Sequence, residues 1–185
     1  MGRTIGYELY SPDDLINPVQ EIVYSYNALG QFSSITSTNS QFSILNSQFL
    51  YSRLPGTDLI SGYTALTSST PSTILTVSKT YEPNRNLVIG ITNSVGSVPS
   101  VVSSFNYDND TTGKRTARTD YYSGATVANT FNFNARGEVT NVTMNANAYN
   151  YNFDCIGNRT TSSVNSVFTA YTLRASGLRM VCWVP

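Results

Sequence analysis

The 185-residue sequence predicts an all-β chain of antiparallel hairpins that follow one another into a twisted, spiralling open sheet. Three observations predict it. Aromatic residues recur in pairs two positions apart, and residues so spaced on a strand point to one face. Each pair runs into Asn or Asp, then into Gly, the chemistry of a tight turn. The unit recurs along the chain, and an internal repeat outweighs any single motif.

Taken in chain order, the first full copy is Tyr24, Tyr26, Asn27 and Gly30. A weaker copy follows at Phe49, Tyr51 and Gly56, with Ser52 read as the turn start. Another weak copy ends at Tyr81, with Asn86 standing where glycine would. Then come Phe105, Tyr107, Asp108 and Gly113, with Asp108 read as the turn acid and a longer step to glycine. Phe131, Phe133, Asn134 and Gly137 restore the first spacing, as do Tyr151, Phe153, Asp154 and Gly157. In the three strict copies Asx precedes Gly by three (30−27, 137−134, 157−154). An Asx side chain can bond a backbone N–H two residues on, and glycine then admits the positive φ that returns the chain to a partner strand. Apolar residues resume after each glycine, at Phe32 and Ile35 and at Val139 and Val142. Each copy is therefore strand, turn, strand.

The remaining segments are less decided. Ser11-Pro12-Asp13-Asp14 carries helix-start chemistry, interrupted by Pro18, and fits a short helix or a loop. Residues 33–48 and 67–73 are rich in Ser, Thr and Asn and read as polar strand faces or loops.

Composition narrows function. Eleven basic residues balance eleven acidic ones, which argues against nucleic acid and predicts poor solubility. No apolar run approaches membrane-helix length, and no signal peptide is visible at the start. Histidine is absent, so the commonest general base and neutral-pH metal ligand are missing; no catalytic, metal or cofactor site is expected. Asp13 with Asp14, and Asp108 with Asp110, read as solvated turn acids rather than a catalytic carboxylate pair. Cys155 and Cys182 form no metal spacing and read as free thiols. Lys114, Arg115 and Arg118 read as a solvated hairpin edge. Three Asn-x-Thr triplets, at Asn109, Asn141 and Asn158, carry little weight in so polar a chain. The paired tyrosines fit packing on the sheet face, with a sugar-stacking platform as the alternative.

The windows resemble YD repeats, the unit of the RHS (rearrangement hotspot) family. Tyr151 to Arg159 carries the pattern nearly in full, with Gly157-Asn158-Arg159 intact, and Tyr107-Asp108 gives the literal Tyr-Asp pair. The resemblance covers about residues 20 to 170. It divides the chain into a lead-in or partial repeat at 1–23, a repeat region at 24–170, and an atypical tail at 171–185 that reads as truncated or frame-shifted. It implies a non-enzymatic segment of a β-shell that, in the whole protein, encloses and delivers a C-terminal toxin. It also implies a secreted or cell-surface location, with neighbouring repeats or a toxin cargo as partners. An extracellular adhesion or carbohydrate-binding module using exposed tyrosines, with cell-surface glycans as partners, is the alternative. No Asp-Pro occurs, so the family's self-cleaving activity is not carried over. Repeats of this kind bury surface only against their neighbours, which predicts a marginally stable or self-associating chain.

Overall fold

A computed structural model describes residues 2–40, 47–67, 72–96 and 100–171. Every regular element among them is a strand, and the strands follow in the order β1 (Gly6–Ser11), β2 (Asp14–Tyr26), β3 (Phe32–Asn39), β4 (Ser47–Arg53), β5 (Ile60–Thr67), β6 (Thr73–Tyr81) and β7 (Val88–Val95). The series continues with β8 (Ser100–Asn109), β9 (Arg115–Tyr122), β10 (Ala125–Phe133), β11 (Val139–Met144), β12 (Asn147–Phe153), β13 (Arg159–Val164) and β14 (Val167–Ala170). Strand order in the sheet is chain order, with no crossover. The all-β, open-sheet prediction therefore holds. The chain divides into two compact units, residues 1–105 with 121–123, and residues 106–120 with 124–185.

In the first unit, β1 through β7 pair antiparallel, each with the next. Directly opposed residues of an antiparallel pair share a face. Tyr24 opposes Ile35, which opposes Phe49, which opposes Ala65, which opposes Leu75. One face is thus aromatic and aliphatic, built from residues that favour a pleated surface. The other carries Ser25, Ser34, Thr64 and Thr76, so alternation along each strand separates the two. The second unit repeats the scheme: Phe131 opposes Val142, which opposes Tyr149, which opposes Val164. On its polar face Asn132 donates to Asn141 Oδ1, Asn141 to Asn150 Oδ1 at 2.7 Å, and Asn150 to Ser163. This cross-strand amide ladder links four strands by side chain as well as by backbone.

Burial is thin in both units. Among the described residues only Ala65, Val77 and Val142 are buried hydrophobics. A single sheet layer covers its apolar face only partly, as expected of modules that lean on neighbours rather than enclose a core.

The Ser11–Asp14 segment is no helix. It closes the β1–β2 hairpin, and Asp14 Oδ1 accepts the backbone N–H groups of Ile16 and Asn17. Pro18, which lacks an N–H, lies in β2 at a register shift opposite Tyr10, where the ladder is already interrupted. Of the polar stretches, 33–39 and 47–48 are strand, while 41–46 and 68–71 lie outside the described residues. The tail from 172 onward also lies outside them.

Candidate functional site

The repeated motif builds one kind of site several times over, a turn that locks its own backbone and reaches for the next turn. At Asn27 the backbone N–H donates to Gln31 O, and Gly30 N–H donates back to Asn27 O. The Asn27 side-chain oxygen accepts the N–H groups of Leu29 and Gln31, at 3.0 and 2.9 Å. Gly30 stands at φ 72°. The same set of bonds recurs at Asn134, to Arg136, Gly137 and Glu138, and at Asp154, to Ile156, Gly157 and Asn158. One short side chain thus satisfies two backbone donors that a bare turn would leave to solvent. A register shift follows in each case, between Ser25 and Tyr26, Asn132 and Phe133, and Asn152 and Phe153. It is a bulge of one residue at the base of the hairpin.

In the hairpin of β8 and β9 the geometry moves the site. The turn acid is Asp110, not Asp108: Asp110 N–H donates to Lys114 O, Gly113 N–H to Asp110 O, and Asp110 Oδ1 accepts from the N–H groups of Thr112 and Lys114. Asp108 lies within strand β8. The step to Gly113 is therefore the regular three, and Tyr107, three before Asp110, takes the place Tyr24 holds before Asn27. Ser52 likewise starts no turn. It lies in β4 and exchanges a hydroxyl contact with Ser61, while the turn runs from Leu54 through Pro55 and Gly56 to Thr57. Asn86 does adopt the left-handed conformation, at φ 56°, in the turn where Glu82 N–H donates to Leu87 O.

The turns also touch one another. Gln31 donates to Asp58 of the following turn, and Arg53 donates to Phe32 O at 2.8 Å. In the second unit the Arg136 guanidinium reaches the carbonyls of Asp154 and Cys155 while holding Glu138 at 2.8 Å. A Cβ on Gly137 would stand 3.1 Å from Lys114 Cε, and one on Gly157 3.0 Å from Glu138 Oε1. With φ at 84° and 93°, both positions combine a conformation that suits glycine with a neighbouring turn packed close against it.

Electrostatics follows the hydrogen bonds. The amide of Asn158 beside Asp154, helped by the turn N–H groups, holds that carboxyl below its usual range. The Thr112 hydroxyl does the same for Asp110, and the Asn134 amide for Glu138. Asp14 is lowered by Asn17. These carboxylates serve as acceptors for turns, and the described residues hold no group of His, Cys, Asp and Glu able to grip a metal.

Just past each turn, the residue five beyond the Asx meets the ring three before it. Phe32 packs against Tyr24 at 5.9 Å and Tyr26 at 5.8 Å between centroids, and reaches Tyr51 at 5.2 Å. Arg115 lies over Tyr107 at 3.5 Å, and Arg159 over Tyr151 at 4.3 Å. Val139 and Phe131 hold the same two positions of their copy and both line an apolar hollow with Tyr149, Tyr151 and Phe153. Lys114 also approaches the Phe133 ring, at 5.7 Å. Lys114 and Arg115 are thus ring partners at the hairpin edge, with Arg115 still exposed. The tyrosines of the motif are engaged in these contacts, while the more open Tyr7 and Tyr122 lie on β1 and β9.

Three features escaped the reading of the sequence. Asn129, 2% exposed, donates to Asp120 Oδ2 and to Arg118 O, and Arg118 pairs with Asp120 at 2.6 Å. Two-residue turns close β9–β10 at Ser123-Gly124, β11–β12 at Asn145-Ala146, and β13–β14 at Asn165-Ser166, each with positive φ at both positions. That is the mirror-image turn whose twist matches paired strands. Cys155 is disulfide-bonded, which corrects the free-thiol expectation there, while Cys182 lies outside the described residues. The amides of the three Asn-x-Thr triplets are withdrawn from solvent or committed. Asn109 Nδ2 is buried, Asn141 Nδ2 belongs to the amide ladder, and Asn158 Nδ2 bonds Asp154.

No family model and no curated protein matches the chain. Among solved structures, it is similar to a chain of the Photorhabdus luminescens Tc holotoxin pore bearing a point mutation in TccC3. The identity is 13% over 77% of this chain, with a TM-score of 0.26. The match spans 12% of that chain's length.

Proposed function

We propose that the chain is a structural, non-enzymatic stretch of YD-repeat wall, and that the whole protein to which such a wall belongs encloses and delivers a toxin. One observation carries the reading. Asn27, Asp110, Asn134 and Asp154 close their hairpins with the same pattern of bonds, and side chains such as Arg136 tie one turn to its successor. A site for chemistry would be built once. A wall needs one joint, made many times.

Excision of one module tests the wall. Deleting residues 138–157 joins Gly137 to Asn158 and puts Asn158 in the place of Glu138. The shortened chain is expected to keep its far-ultraviolet β signal and the protection of the Gln31 and Lys114 amides in hydrogen exchange. Collapse of those distant turns would count decisively against modular construction. The delivery role is tested at the locus: further repeats followed by a non-repeat domain in the continuing frame support it, and unrelated coding sequence there rejects it.

A further inference from the structure

Beyond that reading, the ring face of the second unit carries a hollow of about 540 Å³ lined from β10, β11, β12 and β13. Phe131, Val142, Tyr149, Tyr151 and Phe153 form it, with Val139 at one end of β11 and Met144 at the other. Five strand steps separate those two (144−139), or about 17 Å. Apart from the two tyrosine hydroxyls, the polar side chains that line it stand at the end beside the Asx turns, namely Glu138 and Arg159. Glu138 is already committed, since it accepts from the Asn134 amide and pairs with Arg136 at 2.8 Å. Asp154, near the same end, is spent on its own turn N–H groups and on Asn158. Arg159 differs. Its guanidinium lies exposed over Tyr151 at 4.3 Å with the Tyr171 hydroxyl as a polar neighbour, and no carboxylate pairs with it among the described residues.

We propose that this hollow binds the anion of a free fatty acid of medium chain length, its carboxylate on Arg159 and its alkyl chain laid along β11 toward Met144. The backbone decides the class of ligand. Strands β11 and β12 are paired on both sides, so the N–H and C=O groups beneath the hollow are spent in the ladders. A peptide or a sugar lying there would bury polar groups with few partners, and each unmet group costs affinity. An alkyl chain carries no such group and gains from every methylene removed from water. The volume lies within the range of about 300–1,000 Å³ usual for small-molecule sites, which are mostly apolar with a few placed polar groups. The head group follows from the charge. A guanidinium without a carboxylate partner favours a carboxylate over an uncharged head through charge-assisted hydrogen bonds.

Titration calorimetry of the full chain with sodium decanoate, below its micelle concentration, is expected to show one saturable site. Affinity should climb from octanoate through decanoate to dodecanoate by up to about fourfold per methylene. Decanol, equal in length but uncharged, should bind up to about fivefold more weakly than decanoate. Arg159→Gln should erase that preference and leave decanol binding unchanged. Met144→Trp fills the far end and should flatten the chain-length series. If either variant fails to fold, methyl resonances of the unaltered chain decide. Decanoate should shift those of Val139, Val142 and Met144 and leave those of Ile35 and Val77 in the first unit in place. The inference is overturned by any of four results: no saturable binding, decanol equal to decanoate, a preference that survives Arg159→Gln or a series that Met144→Trp leaves steep, or shifts spread evenly over both units as in detergent-like adsorption.

Discussion

The two units solve one packing problem with different chemistry. In the first, Phe32 fills the place beside Tyr24 and touches three rings, and Tyr51 and Tyr63 extend the row with centroids 5.8 Å apart. In the second, Arg115 and Arg159 occupy the equivalent places, each over a single tyrosine. At three of the four copies the position holds a flat or long body that lies against the first ring of the pair, and at the fourth it holds Val139. An aromatic ring there passes contact on to the next strand. An arginine there keeps its charge in water and stops the row. The joint is conserved in geometry between units while the cohesion between joints is not.

Substitutions at the matched positions should separate these roles most sharply. Phe32→Ala is expected to destabilise the first unit by about 2–3 kcal/mol, as for removal of a large, partly buried ring. Arg159→Ala should cost the second about 0.5–1 kcal/mol, the range for an exposed cation over a ring. Urea unfolding followed by amide signals from each unit would measure both. Equal losses would erase the distinction between a connected row and isolated pairs.

An intermediate effect is expected at the turn glycines. Gly157→Ala forces a Cβ into left-handed backbone against Glu138 and should cost about 1 kcal/mol or more. Gly56→Ala meets nothing within 4 Å and should lose only the conformational part. A matched pair of melting curves checks whether the neighbouring turn adds to the penalty.

The smallest effect is a titration. Asp154 and Asp110 have carboxyls held below the usual value of 3.8, chiefly by Asn158 and by Thr112. A lowered folded-state value means that their stabilisation is complete above that ordinary value and fades as pH falls through the lowered one. Below about pH 4, the amide resonances of Ile156, Asn158, Thr112 and Lys114 should move together. Those of Leu29 and Gln31, held by the amide of Asn27, should stay. Asp154→Asn should make the Ile156 and Asn158 resonances behave like the first unit's turn.

Much of this was legible because the turn chemistry is local. Asn27, Asn134 and Asp154 each act within four residues, so their role is written in the spacing. Asp108 resembles the turn acid because it follows the aromatic pair of Phe105 and Tyr107, yet Asp110 closes the turn. The bonds show that the anchor is Asx with Gly three later, and Asn109 simply stands where an aromatic would. Ser52 misled for the same reason, since Leu54-Pro55-Gly56 turns without any Asx. Asn145-Ala146 and Asn165-Ser166 carried a weak signal in their asparagines but lacked the expected glycine. Partnerships across strands, such as Asn129 with Asp120 or Arg159 over Tyr151, depend on register, which a list of residues does not contain.

The alternation of turn types has a practical corollary. Connections opposite the Asx-closed ends vary widely in extent, from the pair Asn145-Ala146 to the stretch between Asn39 and Ser47, while the closed ends stay nearly constant. Novel peptide epitopes inserted at 145–146 should therefore be displayed without altering strand spacing, whereas the same insertion after Asp154 would break the bonds that close the β12–β13 hairpin.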